Sequence, residues 1–316
     1  TQPTHRCDRG TAGDRQLIMN RSLLAVDIGN SAIKVARFGF FPAPAPAVAA
    51  AAADHNVTTN LPEPLALLEW RTSDEPIWFP ADWLPSSSAL WVVSSVNRGG
   101  WERIRNWVTE HRPSDELRTL TYRDLALTVA VDYPERVGMD RLLTAVAANR
   151  LRQADRPAIV IDAGTALKVH AVNEQGEFVG GAILPGLGIA ARTLAGNTDL
   201  LPLVNVLTDG QSPQALGRNT EQAIQSGLYW GAIGAVKELV ARMRVELSQD
   251  RNAARSESKT GALSRASAAV NVDGVGVDLF VTGGDARGLV PLLDLPATYI
   301  PHLCLRAVAL QALQIS

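Results

Sequence analysis

Cysteine is nearly absent from this chain: Cys7 and Cys304 are the two present in 316 residues. Two distant cysteines can build neither a disulfide framework nor a metal-ligand spacing, so a reducing cytoplasm is the expected setting. Net charge is also scarce, with 30 basic residues against 32 acidic ones and a balance of −2. That leaves no basic footprint for nucleic acid or for an acidic membrane surface. No run is long and apolar enough to cross a bilayer, and the first residues lack a basic-then-apolar signal pattern. Nucleic-acid and membrane partners are therefore not expected. The 46% hydrophobic and 20% charged residues fit a globular protein, and the length predicts two lobes rather than one core.

What the chain does have is one short pattern, twice. Leu23-Leu24-Ala25-Val26-Asp27-Ile28-Gly29-Asn30-Ser31 and Ala158-Ile159-Val160-Ile161-Asp162-Ala163-Gly164-Thr165-Ala166 each read as a buried strand that delivers a carboxylate, a glycine and a small hydrogen-bonding residue. The glycine permits close backbone approach, and successive N–H groups in such a turn form a nest for phosphate. The aspartate is placed to hold a cation, or its water, against that phosphate. A single Asp-x-Gly turn occurs in many hairpins that bind nothing. Two copies half a chain apart predict a duplicated fold whose halves grip a polyphosphate.

In chain order, residues 1–21 read as a disordered tail. Residues 32–38 are the strand returning from the first turn, and Lys34 on it is either a phosphate contact or a solvent-facing lysine. The Pro/Ala run of residues 42–54 is a surface insertion. Residues 89–96 form another strand, followed by a helix on which Trp101, Ile104, Trp107 and Val108 have amphipathic spacing, its tryptophans read as core. Asp140 precedes a strongly helical run and is either that helix's N-cap or an acid at a cleft, beside an arginine suited to an anionic substrate. Residues 180–188 read as a glycine-rich loop, and residues 219–220 as the cap of a helix running to about Leu247. Residues 248–273 lack periodicity and read as a disordered insertion. A strand over residues 277–282 is closed by Gly283 and Gly284, and a helix over residues 303–313 ends the chain. The expected lobes are residues 22–130 and 131–316, with the last helix packing back on the first lobe.

These motifs in this order resemble the acetate-kinase, sugar-kinase, Hsp70 and actin superfamily, and within it the type III pantothenate kinases. The resemblance runs through Asp27 to Ser31, through Gly138-Met139-Asp140-Arg141, and through Asp162 to Ala166. It continues in residues 180–186, in the helix start at residues 219–224, and in Gly283-Gly284. It implies an α/β, duplicated ribonuclease H-like, actin-like ATPase fold with two mixed five-stranded sheets. It implies ATP-dependent phosphorylation of pantothenate, the first step of coenzyme A synthesis, by a cytoplasmic homodimer. By that likeness Asp140 is the base toward the primary hydroxyl. Gly138, Met139, Arg141 and Thr220 line the pantothenate side. Asp27, Ile28, Gly29, Asn30, Ser31, Lys34, Gly164, Thr165, Gly283 and Gly284 hold ATP with its Mg2+. Asp162 is the expected ligand of a monovalent cation, K+ or NH4+.

The chain departs from the family pattern at Val131, where a tyrosine is usual and Tyr133 is the nearest. Lys168 and His170 stand where the family tends to have threonine and aspartate, and Ala32 replaces a residue that is often polar. Two other readings stay open: a nucleotide-binding transcriptional accessory protein, and a kinase of another small alcohol.

Overall fold

The computed structural model describes residues 22–39, 61–74, 76–207, 212–257 and 276–314. The expected tail at residues 1–21 and the insertion at residues 42–54 fall outside them, as do residues 258–273. The chain divides into two compact units. One takes the described residues up to Leu125 together with Cys304 onward, and the other runs from Ala126 to Leu303.

In the first unit, β1 (Ser22–Ile28) and β2 (Ala32–Phe38) form an antiparallel hairpin, and β3 (Ala66–Arg71), β4 (Ala89–Ser95) and β5 (Glu116–Thr119) complete a sheet of order β3-β2-β1-β4-β5. β1 runs parallel to β4, and β4 parallel to β5. The apolar runs of β1 and β4 are buried along nearly their whole length, as parallel strands covered on both faces require. Helix α1 (Arg98–His111) packs Ile104 and Val108 into that core, with Trp101 and Trp107 partly buried against it. Phe79 gathers Trp70, Trp91 and Trp107 around itself, the closest centroid being that of Trp107 at 4.6 Å. The tryptophans are core, as their spacing predicts.

The second unit repeats the design. β6 (Ala158–Ala163) and β7 (Ala166–Val172) form the hairpin; β8 (Phe178–Pro185), β9 (Asp278–Thr282) and β10 (Ala297–Tyr299) give the order β10-β9-β6-β7-β8. Read from the other edge this is the order of the first sheet, with the same antiparallel hairpin and the same parallel pairing beyond it. Helices α2 (Met139–Leu151), α3 (Leu187–Gly196) and α4 (Thr220–Glu257) cover it, followed by the short α5 (Ala286–Leu289). The last helix, α6 (Leu303–Ala312), belongs to the first unit, where Arg306 bonds the carbonyls of Leu61 and Pro62 and pairs with Glu63 at 2.6 Å.

Three expectations need correction. Residues 180–185 are strand rather than loop. Gly181 passes so close to β7 that a Cβ there would lie 2.2 Å from the Val169 carbonyl oxygen, and glycine makes that crossing possible. Helix α4 continues past Leu247 to Glu257, so the first part of the expected 248–273 insertion is helical. Gln249, Arg251, Ala253, Ala254 and Arg255 are good helix formers that need no apolar stripe. Asp140 is not a cap: Gly138 holds the N-cap position of α2, and Asp140 sits in its first turn.

Candidate active site

The first turn is closed by Gly29 N–H donating to the Ala32 carbonyl at 2.9 Å. Register sets Asp27 opposite Lys34 and Ile28 opposite Ile33. Directly opposed residues share a sheet face, so Lys34 lies beside Asp27, its ammonium also 4.0 Å from Glu69. Ile28 is buried, whereas Asn30 and Ser31 at the tip are exposed. Residues distant in sequence brace this tip. The Thr72 hydroxyl donates to the Gly29 carbonyl at 3.0 Å, and the Thr72 N–H to that of Ser31 at 2.9 Å. Asn97 caps α1 by accepting from Gly100 N–H at 2.8 Å, and its amide donates to Asn30 Oδ1 at 3.4 Å. A polar hollow of about 610 Å³ opens here, its lining including Asn30, Thr72, Asn97, Gly99, Gly100 and Arg103. The turn N–H groups and the N-terminus of α1 are both anion-favouring. Thr72, Asn97 and Arg103 are absent from the sequence-derived site. Nothing local to them signals a role, since the hollow is formed by long-range pairing.

The second turn is built the same way and is more crowded. Gly164 N–H donates to the Ala166 carbonyl at 3.2 Å. Gly186 backs the turn so closely that a Cβ would meet the Gly164 carbonyl oxygen at 2.3 Å. Gly283, at φ +106°, passes the other side, where a Cβ would lie 2.1 Å from the Ala163 carbonyl oxygen; Asp285 N–H donates to that same oxygen at 3.0 Å. Gly283 therefore borders the Asp162–Thr165 turn. Burial raises the Asp285 carboxyl above its ordinary range.

Asp140 joins Asp162 through a residue that sequence reasoning left undecided. Lys168 lies opposite Asp162 in the β6–β7 register. Its ammonium is 2.7 Å from Asp162 Oδ2 and 2.6 Å from Asp140 Oδ2. Burial would pull the ammonium down, but the charges of Asp162 and Asp140 and their hydrogen bonds outweigh it and push its pKa up. The other oxygen of Asp140 accepts from Arg141 N–H at 2.9 Å, and the first turn of a helix favours a carboxylate. Asp140 is thereby held by an ammonium on one oxygen and a helix N–H on the other, its side chain 23% exposed. The register of the hairpin was the signal that could have found Lys168.

Arg141 lays its guanidinium 5.3 Å over the Phe178 ring, and its Nε is buried without a hydrogen-bond partner. Burial lowers its pKa, with Asp140 opposing. Below the cluster, His170 is fully buried, its Nε2 3.0 Å from the Thr144 hydroxyl. Burial, then the charges of Arg141 and Lys168, push it down to about 3, so it is neutral. Tyr133 is exposed, with the Arg136 guanidinium 4.6 Å over its ring, while Val131 packs 3.9 Å from the Cβ position of Gly180. Thr220 is exposed at the start of α4, which Asn219 caps by accepting from Gln222 N–H at 2.8 Å. No hydrogen bond or ion pair of the Asp140–Lys168–Asp162 cluster reaches Thr220 among the described residues.

A duplicated ribonuclease H-like unit, with an Asp-x-Gly turn at the head of the central strand in each copy, is the architecture of the actin-like ATPase class, a fold that by itself does not fix the reaction. Similar solved structures include an inorganic polyphosphate/ATP-glucomannokinase from Arthrobacter, 14% identical at a TM-score of 0.39 over 93% of this chain and 100% of that one. Another is an archaeal actin homolog, 12% identical at a TM-score of 0.40 over 93% and 100%. The family model of the type III pantothenate kinases matches residues 23–242. The chain belongs to that family, and its function is the ATP-dependent phosphorylation of pantothenate in coenzyme A synthesis. It is 35% identical to a type III pantothenate kinase of Rhodopirellula baltica over 68% of this chain and 69% of that one. It is 42% identical to one of Rubrobacter xylanophilus over 57% and 72%. With one of Paramagnetospirillum magneticum it is 41% identical over 40% and 47%, about half of that relative's length.

Proposed function

We propose that Asp140 accepts the proton of the pantothenate primary hydroxyl as that oxygen attacks the γ-phosphate of ATP. The observation that carries this is the setting of Asp140: one carboxyl oxygen held by an ammonium, the other by a helix N–H, with the side chain partly open to solvent. A carboxyl positioned in this way suffices where the transition state is loose and the hydroxyl proton leaves late. Arg141 would face the substrate carboxylate, which the unpartnered buried Nε favours. Gly138 and Met139 carry the same side of the site, and Thr220 would add a contact from the start of α4.

For the nucleotide, the N–H groups of Asn30 and Ser31 in the first turn and that of Thr165 in the second would bind phosphate, with Gly29 and Gly164, whose own N–H groups close the turns, allowing close backbone approach. Lys34 would add charge beside Asp27, and Gly283 and Gly284 would leave room on the adenosine side. Mg2+ arriving with ATP suits the oxygen donors of Asp27, Asn30 and Ser31, and when bound it neutralises phosphate charge. A monovalent cation at Asp162 fits less well, because the Lys168 ammonium already holds Asp162 Oδ2 at 2.7 Å; no step is assigned to such an ion. A cytoplasmic homodimer is the proposed working form. In support of a dimer, Leu200, Leu203 and Leu216 stand 90%, 64% and 84% exposed in the second unit; no helix among the described residues is long and apolar enough to cross a membrane. Mass spectrometry of the product tests the chemistry. Pantothenate incubated with ATP and the protein is expected to gain one phosphate on its primary hydroxyl; consumption of ATP with other small alcohols but not with pantothenate would overturn the assignment.

A further inference from the structure

We propose that the Lys168 side chain is a resident monovalent cation: it fills the place between Asp140 and Asp162 that a potassium or ammonium ion would take, so the kinase needs no such ion. The inference rests on the pantothenate kinase reading and goes beyond it.

Three observations support it. The Lys168 Nζ lies at hydrogen-bond distance from one oxygen of each carboxylate, 2.6 Å from Asp140 Oδ2 and 2.7 Å from Asp162 Oδ2. An ion bound to the same two oxygens would stand in contact with a like charge. The lysine is also pre-positioned: it pairs with Asp162 across the β6–β7 hairpin, and its side chain is 13% exposed. Ordering that strand therefore delivers the charge, with no dependence on ion concentration. Finally, the charge balances as an ion would balance it. Two carboxylates and one ammonium leave the same formal charge as two carboxylates and one monovalent ion held at the same two oxygens. Charge and geometry both come from the chain, and a dissociable ion has nothing left to supply at these oxygens. Lys168 is in this sense a positioning residue, acting on the reaction through Asp140.

The test uses the full chain in choline chloride, potassium chloride and ammonium chloride at equal ionic strength. Wild-type pantothenate-dependent ADP release is expected to change less than about twofold among the three, since equal ionic strength gives equal screening. Its melting temperature is expected to be the same in each. Lys168→Met, which keeps the apolar stem and removes the charge, is expected to lose about tenfold or more in choline and to recover part of that loss in potassium or ammonium, with a melting temperature that now rises with those ions. A wild-type rate that climbs about tenfold with potassium, or a wild-type melting temperature raised by potassium specifically, overturns the inference while leaving the kinase assignment standing. A folded Lys168→Met chain that responds to neither ion in either measurement overturns it as well. Should the variant fail to fold, the wild-type comparison decides alone. If ADP release shows no dependence on pantothenate in any salt, the kinase reading fails, and the wild-type melts still decide whether a cation binds.

Discussion

Two aspartates and a lysine share two short ion pairs in a space where each would be costly alone. An unpaired buried charge shifts its pKa or drags in solvent, and here the Lys168 ammonium settles both carboxylates at once. The neutral His170 beneath them adds a pH dependence. Its folded pKa is depressed to about 3, against about 6.5 for an unfolded histidine, so between those values the unfolded chain binds the extra proton. Stability from this residue is complete above about pH 6.5 and falls as pH drops toward 3, by up to about 1.4 kcal/mol per pH unit. Denaturant melts at pH 7, 6 and 5 are expected to show that loss, and His170→Gln is expected to flatten part of it. A variant with the same pH slope as the wild type would show that His170 is not the group responsible. At this scale the sequence was half legible. Asp27, Asp140 and Asp162 announce themselves in contiguous motifs, whereas Lys168 acquires its meaning from facing Asp162 across a hairpin.

The elements were more legible than the contacts between them. Apolar runs ending in Asp-x-Gly marked β1 and β6, because a strand buried on both faces must be apolar throughout. The Gly180-Gly181 pair misled, reading as a loop where it allows β8 to lie against β7. Helix α4 outran its expected end because nothing after Leu247 breaks a helix, while the lack of periodicity hid its continuation. Helix α1 shows how one cap serves two ends: Asn97 satisfies Gly100 N–H and also touches Asn30 at the phosphate turn. Asn97→Ala is expected to cost about 1 kcal/mol of stability, read as a shift in denaturant midpoint with unchanged slope. It is also expected to weaken ATP binding. An unchanged midpoint would mean that the cap is replaced by solvent.

Across the whole molecule, one fold was written twice and then specialised. Each sheet has the same order and the same hairpin, yet the first turn opens on a polar hollow and the second is enclosed by Gly186, Gly283 and the Lys168 pair. The family match stops at residue 242. β9 and its closing Gly283-Gly284 lie beyond it, though β9 pairs directly with β6 at the centre of the second sheet. The most direct measurement is pantothenate-dependent ADP release by the wild type and by Asp140→Asn, with ATP affinity measured on both. The expected result is ATP affinity within about threefold and turnover lower by about two to four orders of magnitude, as loss of a general base produces. Turnover at the wild-type rate in Asp140→Asn would contradict the assignment.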